Sequence, residues 1–143
     1  MSDAGSLERF VQAQAGLYPQ ALAELRAGEK RSHWMWFIFP QIAGLGRSAT
    51  AQFYAIAGRQ EATAYSQHAL LGPRLQECTQ AMLGWAGRRS AEAILGPVDA
   101  LKFRSSMTLF EACSKDPASF AAALGGFFGG QRDAATLELL GKE

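Results

Sequence analysis

Cysteine is scarce in this chain of 143 residues: Cys78 and Cys113 stand far apart, with no CxxC or Cys/His spacing around them. That excludes a disulfide framework and the usual zinc spacings, so two reduced, buried thiols and no metal are expected. An excess of one charge is lacking as well. Fourteen Lys and Arg against thirteen Asp and Glu leave a formal charge of +1, too little for a field that gathers nucleic acid or an anionic membrane. Neither is an expected partner, and any anion site must be local. No apolar run approaches the ~20 residues that span a bilayer. The stretch from Met1 to Arg9 has neither a basic n-region nor an apolar h-region, so a cytoplasmic location is the expectation. Nucleotide-loop and hydrolase signatures are missing too: there is no GxxxxGK[ST], HExxH or GxSxG, and Gly44-x-Gly46 lacks the third glycine of a dinucleotide fingerprint. No cofactor is expected. Asp99 and Glu111 stand twelve apart with no reason to pair, which leaves a two-carboxylate hydrolase unsupported.

What is present is a globular composition, 48% hydrophobic and 19% charged, which excludes a disordered chain. One domain spanning residues 1–143 is expected, burying about 68–70% of its unfolded surface. Strand-like alternation is rare, whereas helix starts and stops recur. Ser6 reads as the cap of a helix with Leu7, Phe10, Val11 and Gln14 on one face. Pro19 fits the first turn of a second helix, stopped by Gly28. Pro40 prevents Trp34–Phe39 from continuing as a helix. Gly44–Gly46 reads as a turn, and Ser48 as the cap of a helix carrying Phe53 and Ile56 inward. Glu61 to Tyr65 reads as a short turn. Leu71, Leu75, Cys78 and Met82 form the stripe of a helix opened near Pro73, and Ser90 and Gly96 bracket a short one. Asp99 reads as the cap of a helix through Cys113, with Phe103, Met107 and Phe110 at helical spacing. Asp116-Pro117 reads as the start of a helix ending at Gly125-Gly126, before an aromatic turn, Phe127 to Gly130. Asp133 begins the last helix, which ends at Gly141. The expected fold is all-α, a compact multihelical domain of about seven to eight short helices with no fixed repeat.

Two segments concentrate polar groups beside apolar ones. In Lys30–Ser48, six consecutive apolar residues from Trp34 to Phe39 require burial on all sides, and His33, Gln41 and Arg47 emerge at their ends. In Asp99–Phe110, Lys102, Ser105 and Ser106 share a helix face through i+3 and i+4 spacing. A Lys, two hydroxyls and a guanidinium suit a phosphate or carboxylate. Arg47 and Ser48 precede a helix start, which also favours an anion. Trp34 or Trp36 offers a flat surface for a ring, and His33 is the candidate acid or base. The expectation is a pocket for an anionic, nucleotide- or sugar-phosphate-like metabolite, held by Trp34, Trp36, Gln41, Arg47, Ser48, Lys102, Ser105 and Ser106. A hydrolase or transferase would suit such a set. The alternative is a non-catalytic protein-interaction module in which both motifs are structural core. Whether the chain is an enzyme stays open, and Lys102-x-x-Ser105 reverses the order of the S-x-x-K dyad.

Lys30-Arg-Ser-His-Trp-Met-Trp-Phe-Ile-Phe-Pro-Gln41, Gly44-Leu-Gly-Arg-Ser48 and Leu101-Lys-Phe-Arg-Ser-Ser-Met-Thr-Leu-Phe110 are long and unusual motifs. With Phe127-Phe-Gly-Gly130 and Thr136-Leu-Glu-Leu-Leu140, they make the chain resemble the bacterial domain-of-unknown-function 1810 family from about Leu7 to Leu140. The resemblance implies a mainly helical, single-domain fold and places both polar segments in the family pattern. It supplies no catalytic mechanism. The calpastatin label that some members carry does not fit, because such an inhibitor is a disordered repeat chain and this composition is globular.

Overall fold

Glycine, proline and small polar caps set most of the helix boundaries. The computed structural model describes residues 3–143, with side chains from Leu7 onward. Its helices are α1 (Asp3–Gln14), α2 (Tyr18–Ala27), α3 (Met35–Ile38), α4 (Ala49–Phe53) and α5 (Arg59–Gln67). They continue as α6 (Leu71–Leu83), α7 (Ala91–Leu95), α8 (Pro97–Cys113), α9 (Ala118–Phe128) and α10 (Ala134–Gly141). The class is all-α, with ten helices among the described residues rather than seven or eight. Beyond the helices, those residues hold a lone parallel bridge, Ile42 to Ile56.

Three of the expected caps close as hydrogen bonds. Ser48 Oγ accepts from Ala51 N (3.1 Å), Ser90 Oγ from Ala93 N (3.0 Å), and Asp133 Oδ2 from Thr136 N (3.0 Å). Each satisfies one of the orphan donors of a first turn. Gly28 stops α2 at φ 76°, donating to Glu24 O and Leu25 O. A side chain there would also press within 2.8 Å of the Trp85 ring.

Other boundaries differ. Asp99 lies inside the first turn of α8, because the cap falls three residues earlier, at Gly96, with Pro97 in the first turn. Pro117 itself occupies the cap position of α9, so Asp116 falls outside it. Gly125 and Gly126 do not end α9, which runs to Phe128 and stops at Gly129 (φ 62°). Gly126 serves closeness instead: a Cβ there would come within 3.0 Å of Ala86 Cβ. Glu61–Tyr65 belongs to the nine-residue α5 rather than to a turn. Its polar sequence masks this, since Glu61 is buried by pairing with Arg9 (3.0 Å). Phe53 is 59% exposed, whereas Ile56 is buried beyond the end of α4. The cap read at Ser6 falls on a side chain outside the described ones, within a helix that begins at Asp3.

The centre of the molecule is α8, which packs against α5, α7, α9 and α10. Phe103, Met107 and Phe110 are fully buried on it. Phe39 meets Phe103 edge to face, with centroids 4.8 Å apart at 73°. Burying such a ring stabilises the fold by roughly 1.5–3 kcal/mol. Pro40 follows Phe39, the C-cap of α3, and the chain beyond it lies beside α8, which brings the two polar motifs toward each other. Among the described residues, no helix is long and apolar enough to cross a membrane.

Candidate functional site

The first polar motif is held from below by a residue in α2. Glu24 is buried, and its carboxylate accepts from Arg31 N (2.8 Å), Ser32 N (3.0 Å), Ser32 Oγ (2.6 Å), Trp34 Nε1 (2.9 Å) and Gln20 Nε2 (3.1 Å). Burial pushes the Glu24 carboxyl up, but the bonds from Ser32, Arg31, Trp34 and Gln20 together outweigh it and bring the group from 4.5 to about 2. The carboxylate therefore fixes the loop that leads into α3. Lys30 adds a second anchor: its backbone N–H donates to Ile94 O (2.7 Å), and its Nζ pairs with Asp99 Oδ2 at 2.9 Å.

Asp99 joins the two motifs. Its other oxygen lies 3.6 Å from Lys102 Nζ, so two lysines share one carboxylate. Each ammonium also rests near an indole, Lys30 over Trp34 and Lys102 over Trp36, both at 5.2 Å from the ring centroid. Two ammonium groups on one carboxylate leave each lysine only partly paired, in a partly desolvated setting where an anion is attracted more strongly than in open water.

Above Lys102 opens a groove of about 280 Å³, lined by Gln41, Leu45, Gly46, Val98, Leu101, Lys102, Ser105 and Asp133. A small depression lined by Trp36 and Tyr54 shares Gln41 and Gly46 with it. The loop carrying Gln41 is pinned by its backbone, with Ile56 N donating to Gln41 O and Ala43 N to Ile56 O, both 2.8 Å. The Gln41 side chain is half-buried and makes no hydrogen bond to the described residues. Ser105 donates to Leu101 O (3.1 Å), which leaves its oxygen as an acceptor. Asp133 spends Oδ2 on Thr136 N and Oγ1.

The structure thus brings Gln41, Lys102 and Ser105 to one concavity, with Trp36 beside it. The other expected residues stand apart. Trp34 is 1% exposed and its indole N–H is spent on Glu24, so its face is closed to a ligand. Ser106 is wholly buried, does not line the groove, and its hydroxyl finds no partner among the described residues. Ser48 caps α4, while Arg47 and His33 are exposed and absent from the groove's lining. Without His33, the groove's ionisable groups are Lys102 and Asp133.

Residue reasoning missed Glu24, Asp133 and the apolar walls Val98 and Leu101. Glu24 left no signal, since an acid on an amphipathic helix reads as solvent-facing. Asp133 was visible only as a cap. Two larger concavities lie elsewhere: one of about 370 Å³ around His68, Gln76 and Lys115, and one of about 360 Å³ around Arg88 and Arg89. In the former, His68 Nδ1 accepts from Leu70 N (3.1 Å) and Leu71 N (3.2 Å), a capping role at the start of α6.

Comparison with known proteins follows the same motifs. The family described as protein of unknown function (DUF1810) matches residues 4–140. A crystal structure of the conserved hypothetical protein Rv1873 from Mycobacterium tuberculosis is similar over 94% of this chain and 96% of its own, with 51% identity and a TM-score of 0.91. No curated protein matches.

Proposed function

The chain belongs to the DUF1810 family, and from that premise we propose that it binds a small anionic metabolite of the sugar-phosphate kind in the groove above Lys102. The observation that carries the reading is the convergence of Gln41, Lys102 and Ser105, from two distant motifs, on one concavity of about 280 Å³. Lys102 supplies the charge, Gln41 and Ser105 supply hydrogen bonds, and Leu45, Val98 and Leu101 supply an apolar wall. Asp133 in the lining, with Asp99 paired to Lys102 behind it, disfavours a polyphosphate and favours a ligand with a single anionic group and neutral hydroxyls. The reading is one of binding, since the groove lacks the histidine expected as acid or base.

The test is a thermal-shift panel of sugar monophosphates, nucleoside monophosphates and small carboxylates. A ligand present at ~100 Kd adds about 2.7 kcal/mol to stability. Lys102→Ala should remove that response, whereas Asp99→Asn, which frees both ammonium groups, should strengthen it. A panel without a shift, or shifts that survive Lys102→Ala, overturns the reading. A second reading, a non-catalytic protein-interaction surface, draws on Val98 and Leu101, which are 66% and 61% exposed at the rim. On that reading Leu101→Asp abolishes partner binding while Lys102→Ala leaves it intact.

A further inference from the structure

The concavity around Arg88 and Arg89 differs from the groove in one respect that sets its chemistry: no acid lines it. Its walls are Gly87, Arg88, Arg89, Ser90, Gly126 and Phe127, and its volume is about 360 Å³. Neither arginine forms an ion pair with a described residue. Arg88 and Arg89 are adjacent in the chain, and both line the cleft.

Their placement is built rather than incidental. The segment is a tight turn raised on Trp85, whose carbonyl accepts from Arg88 N (2.7 Å) and Arg89 N (2.9 Å). Trp85 is itself tied to α2 through Nε1 to Leu25 O (3.0 Å). Gly87 completes the turn at φ 81°, a conformation other residues rarely adopt. Arg88 lies over the Trp85 ring at 4.7 Å and donates one N–H to Gly84 O (3.4 Å). Arg89 donates one N–H to Ala93 O (3.2 Å). Each guanidinium carries five N–H donors, so one bond to a carbonyl orients the fork and leaves most donors available. Across the cleft, Gly126 lets α9 approach closely, and Phe127 offers a half-buried ring.

We propose that this cleft is a second binding site, for a phosphate monoester, with Arg88 and Arg89 holding the phosphate and Phe127 holding the organic half. Paired forks match the oxygens of a phosphate, and the absence of an acid lets the full charge be neutralised. The site shares no lining residue with the Lys102 groove and does not depend on it.

Amide NMR titration of the full chain, at low and constant ionic strength, tests this with phenyl phosphate, inorganic phosphate and chloride. Saturable shifts are expected at Gly87–Ser90, Gly126 and Phe127, at lower concentration for phenyl phosphate than for inorganic phosphate, and not with chloride. Arg88→Gln should weaken phenyl phosphate about tenfold, the loss of one charged hydrogen-bonding group. Arg88→Lys, which keeps the charge and the fold but not the fork, should weaken it less. Lys102→Ala should leave it unchanged. Linear shifts with every anion, equal saturation by inorganic and phenyl phosphate, or affinity unaltered by both Arg88 variants overturns the proposal. Loss of binding in Lys102→Ala moves the phosphate to the groove and overturns it too.

Discussion

The loop under Trp34 and the groove above Lys102 are built from the two ends of one motif, yet their polar groups live differently. Under Trp34, one carboxylate collects five donors and every partner is a neighbour in the chain or in α2. Above Lys102, the Gln41 amide is unmatched, Ser105 keeps an accepting oxygen, and Lys102 shares its carboxylate with Lys30. Saturation marks a place that holds the fold. Unspent valence at a solvent-accessible groove marks a place that can meet a ligand, because those donors and acceptors exchange water for the ligand and break no bond of the fold.

The largest effect therefore belongs to Glu24. Glu24→Ala leaves Arg31 N, Ser32 N and Trp34 Nε1 without their acceptor and should cost about 3 kcal/mol in urea unfolding. The same carboxylate gives an acid limb. Its folded value, about 2, lies below the ordinary 4.5, so its stabilisation is complete above pH 4.5 and fades as pH falls toward 2. Unfolding free energy followed from pH 6 to pH 2 should drop more steeply in the parent than in Glu24→Gln. Parallel curves would mean that the carboxylate does not anchor the loop and would erase the contrast with the groove.

How much of this the sequence discloses depends on how local the signal is. Ser48, Ser90 and Asp133 are readable as caps because a cap is settled within three residues. Asp99 and Asp116 carry the same signal but lose the position to Gly96, which precedes Pro97 in the first turn of α8, and to Pro117 at the start of α9. Gln14 could be placed on the apolar face of α1 by spacing. Its reason for being there, donation to Phe37 O (2.8 Å) across 23 residues, could not. Burial of Glu61 likewise rests on a distant partner, Arg9, which pairs with it across 52 residues and also donates to Phe53 O (2.8 Å). Of the candidate site, spacing puts Lys102, Ser105 and Ser106 on one helix face, but only the first two line the groove, and Ser106 is turned into the core. Nor can spacing separate Trp36, beside the groove, from Trp34, which is spent on Glu24.

A smaller effect, of opposite sign, is expected at Ser106. Its hydroxyl is fully buried without a partner among the described residues, so Ser106→Ala removes a desolvated polar group at little cost in packing. A gain of about 1 kcal/mol is expected in urea unfolding. Ser105→Ala, which loses only a bond to the carbonyl one turn back, should be near neutral. A loss of stability in Ser106→Ala would place that hydroxyl with the saturated groups of the Glu24 loop.

The smallest effect on stability, and the sharpest on the comparison, is expected at Gln41. The bridge between Ile42 and Ile56 uses the Gln41 carbonyl, not the Gln41 side chain, since Ile56 N donates to Gln41 O at 2.8 Å. Gln41→Ala keeps that bond and removes only the amide, so stability should change by no more than about 0.5 kcal/mol. The response to a groove ligand should fall, because an amide that bonds nothing in the protein is available to the ligand alone. Denaturation and thermal-shift measurements on the same variant separate the two. Unchanged ligand response with lowered stability would show the amide to be part of the scaffold, and the groove would then join the Glu24 loop as structure.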